Sequence, residues 1–281
     1  ALGLDEESTD RLLTFWAALH DLGKASPAFQ RQWQEAEALL SADGLPFPKR
    51  FLNKPCPHGR ITSAVLPDVL AAETHLPARA AQRIARAVGG HHGAWPTPAE
   101  EQAVGNDERG SDEWDTVRRE LVCVLRDVLQ PPALVAWPLS NPADDNAFFT
   151  WFSGLVSVAD WLGSMEEHFP YVEAPLDPTQ YAQRAAAQAQ NALQSLHWTD
   201  WQPPTAALPF TELFPFPPSD MQEKVVDLAS QLDQPALVLI EAPTGSGKTE
   251  AVLYLTDTWE RTLQQRGMYV AMPTMATSKQ T

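Results

Sequence analysis

Residues 16–29 read WAALHDLGKASPAF, and the way this stretch ends decides what kind of domain the first half of the chain builds. Leu12, Phe15, Trp16 and Leu19 fall at the i, i+3, i+4, i+7 spacing of one buried helix face, with Ser8 as the expected N-cap. The apolar stripe then gives way to an imidazole and a carboxylate side by side, His20-Asp21, with Gly23-Lys24 behind them. Such an ending is either a solvated helix terminus or half of a metal site. The pair alone does not choose.

Composition narrows the classes. The 281 residues carry a net charge of −16, which argues against a simple nucleic-acid sleeve. The excess is uneven: residues 131–220 hold one basic residue against ten acidic ones, whereas residues 1–60 hold seven against eight. A polyanion must therefore be held by local features such as metal ions and a few lysines. Two cysteines, Cys56 and Cys123, form no framework and fit a reducing cytosol. The start lacks a basic-then-apolar leader, and the longest apolar run, 147–163, is broken by Thr150, two serines and Asp160. The expectation is a cytoplasmic protein without a membrane span. Beginning at Ala1 and stopping at Thr281 in a polar stretch, the sequence reads as a piece of something longer.

Three textures follow one another. Residues 1–168 read as an all-α domain, with further helices expected near 60–76, 78–88, 114–130 and 146–165, separated by turns rich in Pro and Gly. Residues 169–218 read as a connector, an Ala/Gln-rich helix at 181–196 followed by a proline-rich segment. Residues 219–281 open an α/β domain: an apolar strand at 235–241, a glycine-rich loop, a helix at 250–265 and a second strand at 267–273.

That loop, APTGSGKT (242–249), matches G-x-x-x-x-G-K-[ST] except for alanine at the first glycine. Backbone N–H groups around Gly245, Ser246 and Gly247 and the N-terminus of the next helix suit the phosphates of ATP. Lys248 would reach the β- and γ-phosphates and Thr249 would ligate Mg²⁺. Gln222, about twenty residues upstream, stands where helicases often place an adenine-reading glutamine, though a plain surface glutamine reads equally well there. No Walker B acid follows, so half an ATP site is expected.

Of seven histidines, His75, His168 and His197 have no partners in sequence. The others form an ordered set with two carboxylates: His20-Asp21 ends one helix, His58 opens another, His91-His92 follows Gly89-Gly90, and Asp160 lies within an apolar run. An unpaired carboxylate at Asp160 would be costly, so a metal or histidine partner is expected there. Mixed imidazole and carboxylate donors suit transition metals better than Ca²⁺. Lys24 reads either as a cation favoured at a helix C-terminus or as a charge held near a phosphate.

HDLGK (20–24), His58, GGHHG (89–93) and SVADWLG (157–163) resemble the HD-type metal-dependent phosphohydrolases. Followed by EAPTGSGKTEA (241–251) and AMPTMATSKQ (271–280), the chain resembles the helicase–nucleases of type I CRISPR–Cas systems, in which an HD nuclease precedes two RecA-like helicase domains. The resemblance implies two divalent transition ions (Fe²⁺, Mn²⁺, Ni²⁺ or Co²⁺). One would be held by His20, Asp21 and Asp160, the other by Asp21, His58, His91 and His92, with Asp21 bridging and Lys24 positioning phosphate. It also implies cleavage of single-stranded DNA, ATP-driven translocation, contact of residues 273–280 with the strand, and recruitment by a crRNA-guided surveillance complex. The family carries a further metal-binding histidine several tens of residues before the pair. The 19 residues before His20 hold none, and a missing N-terminal stretch is the expectation.

Two other readings share these residues: an HD-type nucleotide phosphohydrolase, and a non-catalytic docking module with a structural ion. Trp95, Trp114 and Trp137, in polar or proline-rich surroundings, are candidates for stacking on bases, although such residues more often pack a core.

Overall fold

Leu12, Phe15, Trp16 and Leu19 are buried together, 0–3% exposed, as the helical stripe requires. In the computed structural model, which describes residues 2–48, 56–74, 76–134, 137–139, 141–172, 177–199, 202, 208–234, 236–265 and 268, they lie along α1 (Glu6–Ala18) and its C-cap. The cap differs from expectation. Asp5 is the N-cap, its carboxylate accepting from Ser8 N–H at 2.8 Å and Ser8 Oγ–H at 2.9 Å. The Asp5 carboxylate accepts from the N3 amide and complements the helix dipole, so the helix begins one turn before Ser8.

A 3₁₀ turn (Leu22–Lys24) and two helices, α2 (Pro27–Gln30) and α3 (Gln34–Ala42), carry the chain away. The central hairpin follows, α4 (His58–Thr74) against α5 (Ala78–Gly89). Short α6 (Pro98–Gln102) and α7 (Asn106–Arg109) lead to α8 (Asp112–Leu129), and α9 (Pro142–Gly163) returns across α5. The core joins α1, α4, α5 and α9 around Phe15, Trp16, Leu66, Ile84, Phe149 and Phe152. Each expected helix of this region is present to within a few residues.

The chain divides into two compact units, Ala1–Ala192 and Leu193–Thr281. Helix α10 (Pro178–Ser195) spans the division. The second unit packs α11 (Phe210–Leu213), α12 (Asp220–Gln231) and α13 (Lys248–Thr262) around Phe210, Val225, Tyr254 and Leu255. No strand occurs among the described residues. Of the strand expected at 235–241, the described residues 236–241 are instead irregular chain, with Leu237 98% and Leu239 83% exposed while Val238 and Ile240 pack on the second core. A strand needs a hydrogen-bonded neighbour. Of the expected neighbour, 267–273, only Met268 is described, and residues 273–280 lie outside the described residues. No described helix is long and apolar enough to cross a membrane.

Candidate metal centre

The end of α1 explains why a histidine stands there. A helix leaves its last carbonyls without intrahelical partners. His20 Nδ1–H donates to Ala17 O at 2.8 Å, and the same device closes α5, where His91 Nδ1–H donates to Val88 O at 2.6 Å. A carbonyl only accepts, so each bond places a ring proton on Nδ1, and in the neutral ring the Nε2 lone pair is the one left to ligate. That is the arrangement metal-bound imidazoles adopt.

The Nε2 atoms of four histidines converge. His58 Nε2 lies 3.2 Å from both His91 Nε2 and His92 Nε2, and 3.1 Å from Asp21 Oδ1. His20 Nε2 lies 3.3 Å from Asp21 Oδ2 and 3.4 Å from Asp160 Oδ1, while Lys24 Nζ sits 2.6 Å from Asp21 Oδ2. Two triads of ligand atoms, His58/His91/His92 and His20/Asp21/His91, each fall within 4.8 Å. His91 belongs to both. Asp21 turns one oxygen toward a histidine of each triad.

The donors fit divalent ions. His20 Nε2 and Asp21 Oδ1 are buried and have no hydrogen-bond partner of acceptable geometry despite the ion-pair distances, which is the condition a cation would relieve. Burial, with the neighbouring rings, pushes His91 down to about 4, so it is neutral and able to ligate near pH 7. For Asp21, burial raises the pKa, but His20, His58 and Lys24 outweigh it and hold the carboxyl well below the usual range. Burial likewise opposes charge on His20, and the adjoining Asp21 carboxylate overcomes it, raising that pKa.

Gly89 and several residues the sequence did not single out hold the candidate ligands in place. Gly59 and Gly89 let α4 and α5 touch backbone to backbone. A Cβ at Gly59 would lie 2.3 Å from Gly89 O, and one at Gly89 would lie 2.5 Å from Gly59 O. That contact sets His58 beside His91. Thr62, fully buried on α4, grips the His20–Gly23 turn. Ser157 Oγ–H donates to His91 O at 2.6 Å, one turn before Asp160 on α9. Ser153 Oγ–H donates to Ala87 O at 2.8 Å and accepts from Trp95 Nε1–H at 2.9 Å. Two of the three tryptophans proposed for base stacking are structural instead. Trp114 is buried with its N–H on Pro46 O, and Trp137 packs on Trp16 and Phe149 with its N–H on Asp145. Trp95 stays partly exposed, its N–H held by Ser153. His168 pairs with Glu167 at 3.4 Å and His75 lies outside the described residues.

In the second unit, the glycine-rich loop turns through Gly245 (φ +79°) and Gly247 (φ +81°), conformations that favour glycine, into the N-terminus of α13. Lys248 Nζ donates to Ala242 O at 2.6 Å and Pro243 O at 2.8 Å, and Ser246 Oγ–H donates to Pro243 O. Thr249 is exposed at the helix start. Gln222 is buried: its Oε1 accepts from Ser219 N–H at 2.9 Å and its Nε2–H donates to Gly247 O at 2.9 Å.

Residues 1–169 match the family described as Cas3, HD domain. The chain belongs to the Cas3 HD-domain family. It is 37% identical over 280 residues to the CRISPR-associated endonuclease/helicase Cas3 of Thermus thermophilus, covering 98% of this chain and 30% of that protein. A crystal structure of a CRISPR-associated protein superposes with a TM-score of 0.65 at 40% identity, covering 99% of this chain and 31% of that one. The Thermus thermophilus Cas3 HD domain in the presence of Ni²⁺ gives 0.52 at 30% identity, over 70% of this chain and 72% of that one. A chain of a CRISPR RNA-guided surveillance complex, pre-nicking, gives 0.54 at 26% identity over 99% and 31%. The all-α fold and the CRISPR-associated HD family are thus those the sequence resembled.

Proposed function

We propose that this chain carries a metal-dependent nuclease acting on single-stranded DNA, joined in the whole protein to an ATP-driven translocase that works with a crRNA-guided surveillance complex in the cytoplasm. The chain spans only 30% of the curated Thermus relative, so the translocase and the complex belong to the longer protein. One observation carries the reading: imidazole nitrogens from four histidines and two carboxylates converge beside a lysine. His20, Asp21, His58, His91, His92 and Asp160 would hold one or two transition ions, with Ni²⁺ compatible in the related HD domain. Bound ions supply Lewis-acid stabilisation of phosphoryl charge and a water activated for attack. Asp21, facing both triads, sets their separation and orientation. Lys24 Nζ, 2.6 Å from Asp21, brings a cation to the edge of this cluster to meet a phosphodiester oxygen. Hydrolysis joins the water oxygen to phosphorus, breaks one phosphorus–sugar oxygen bond and returns a proton to that oxygen. ATP and Mg²⁺ would be taken at Gly245, Ser246, Gly247, Lys248 and Thr249. Gln222 would steady Gly247 or read adenine.

The test is cleavage of circular single-stranded DNA with Mn²⁺ or Ni²⁺, run beside a panel of nucleotides. Nicking that stops with chelator and falls at least a hundredfold in Asp21→Asn supports the reading. Hydrolysis of nucleotides alone would replace it with a nucleotide phosphohydrolase. Bound metal without any hydrolysis would leave a docking module.

A further inference from the structure

Beside the metal ligands, the chain after Lys24 builds a small aromatic ledge. Phe29, on α2, stands edge-on to His58 with ring centroids 5.5 Å apart and planes at 82°. Trp33 packs on Phe29 at 5.3 Å, and Lys24 Nζ lies 5.7 Å from the Phe29 ring centre. Trp33 is nevertheless 51% exposed. A half-exposed indole loses much of the transfer free energy it would gain if buried, and here the open ring stands two aromatic contacts from a metal ligand.

The ledge is also held stiffly. Ser26, fully buried, caps α2 by accepting from Phe29 N–H at 3.4 Å and donates its own O–H to Gly23 O at 2.7 Å. Gln30 Nε2–H donates to Lys24 O at 2.9 Å. Buried Arg118 donates to Ala25 O at 2.6 Å. The ledge is therefore tied to the same turn that presents Asp21 and Lys24.

We propose that Phe29 and Trp33 form a nucleobase-stacking platform for the residue flanking the scissile phosphate, so that this ledge selects single strands. The inference rests on the nuclease reading. The chemistry fits in three ways. A chain of net charge −16 gains little from bulk attraction to a polyanion, so affinity must come from local contacts at the site, to which stacking can add. Base–aromatic stacking is such a contact and tolerates any sequence. A paired base in a duplex already has both faces covered by its neighbours, whereas an unstacked base offers one to Trp33. The platform thus ranks single strands above duplexes at the point of cleavage.

Two measurements test this. The first is fluorescence anisotropy of a labelled oligothymidylate and of an abasic strand of equal length, with chelator present to keep the strands whole. The second is steady-state cleavage of the oligothymidylate with Mn²⁺. Wild type should bind the base-bearing strand roughly tenfold more tightly than the abasic one. Trp33→Ala should erase that difference and raise KM with kcat little changed, and Trp33→Phe should recover most of it. Thermal melting and metal content of both variants should match wild type. Equal binding of the two strands by wild type, or a Trp33→Ala loss that is the same for both, overturns the platform. So does a Trp33→Ala change in oligomeric state, which would make the ledge a protein interface. If the base-dependent, Trp33-dependent binding is present but no strand is cut, the nuclease reading fails and the platform stands. If strands are cut but Trp33 is immaterial, the reverse holds.

Discussion

The Thr62 hydroxyl donates to the His20 carbonyl at 2.9 Å and, through the same oxygen, accepts from Gly23 N–H at 2.8 Å. One buried side chain on α4 thus fixes the turn that carries His20 and Asp21, while His58 begins the same helix one turn earlier. Thr62→Val keeps the shape and removes both bonds, leaving a buried N–H and C=O unpaired at about 1–3 kcal/mol. The expected result is a lower melting temperature and a metal affinity reduced about 10–100-fold, as for other groups that orient ligands from behind. Thr62→Ser should restore both. Calorimetric titration with Mn²⁺ checks it, and a Thr62→Val protein that melts and loads like wild type refutes it.

The glycine contact between α4 and α5 gives a sharper contrast. At Gly59 an added Cβ would meet Gly89 O at 2.3 Å, and rigid backbone cannot yield as a side-chain tip can. Gly59→Ala should destabilise the protein by about 1–3 kcal/mol and draw His58 away from His91. On α9, Gly154 has open space where its Cβ would go. Gly154→Ala should stabilise by about 0.5–1 kcal/mol. Denaturant midpoints of the two variants should move in opposite directions.

What the sequence showed and hid has a physical pattern. The candidate ligands were legible because each sits at a helix end or breaks an apolar run, and such positions are local: His20 after the Leu12–Leu19 stripe, His91-His92 after two glycines, Asp160 amid apolar neighbours. Thr62, Ser157 and the Gly59–Gly89 contact were not legible. Their roles exist only across distances such as the 39 residues from Gly23 to Thr62 or the 66 from His91 to Ser157. Trp114 and Trp137 follow the commoner reading of such residues and pack the core, although polar, proline-rich sequence surrounds them. Trp33, the exposed indole beside the site, lies in an unremarkable polar run, QRQWQEAE. The strand at 235–241 was read from apolar content alone, whereas a strand is defined by its neighbour.

Asp5 provides the pH dependence. Hydrogen bonds from Ser8, backbone first and then hydroxyl, hold its pKa below the ordinary value of 3.8. A depressed carboxyl contributes stability that is present above the unfolded pKa and lost as pH falls through the folded one. Asp5→Ala should therefore lower the melting temperature by a few degrees at pH 7. The gap between variant and wild type should narrow as pH falls through 3.8, where the unfolded carboxyl takes up its proton, and close once the native cap is protonated too. A gap that stays constant down to strong acid would mean that the carboxylate is not the cap.

The sharing of His91 should make metal loading unequal among the histidines. His91 belongs to both triads and His92 to one. His92→Ala leaves His20, Asp21 and His91 together, so one site should survive, whereas His91→Ala removes a donor from each. Elemental analysis after Ni²⁺ loading should give a larger loss for His91→Ala than for His92→Ala. Thermal shift gives the same order, because an ion that binds only the folded state stabilises it by about 2.7 kcal/mol at a free concentration of 100 times Kd. Wild type should gain most on loading, His92→Ala less and His91→Ala least, with chelator bringing each back to its metal-free melting point. Equal losses in the two variants would show that the triads do not act as separate sites.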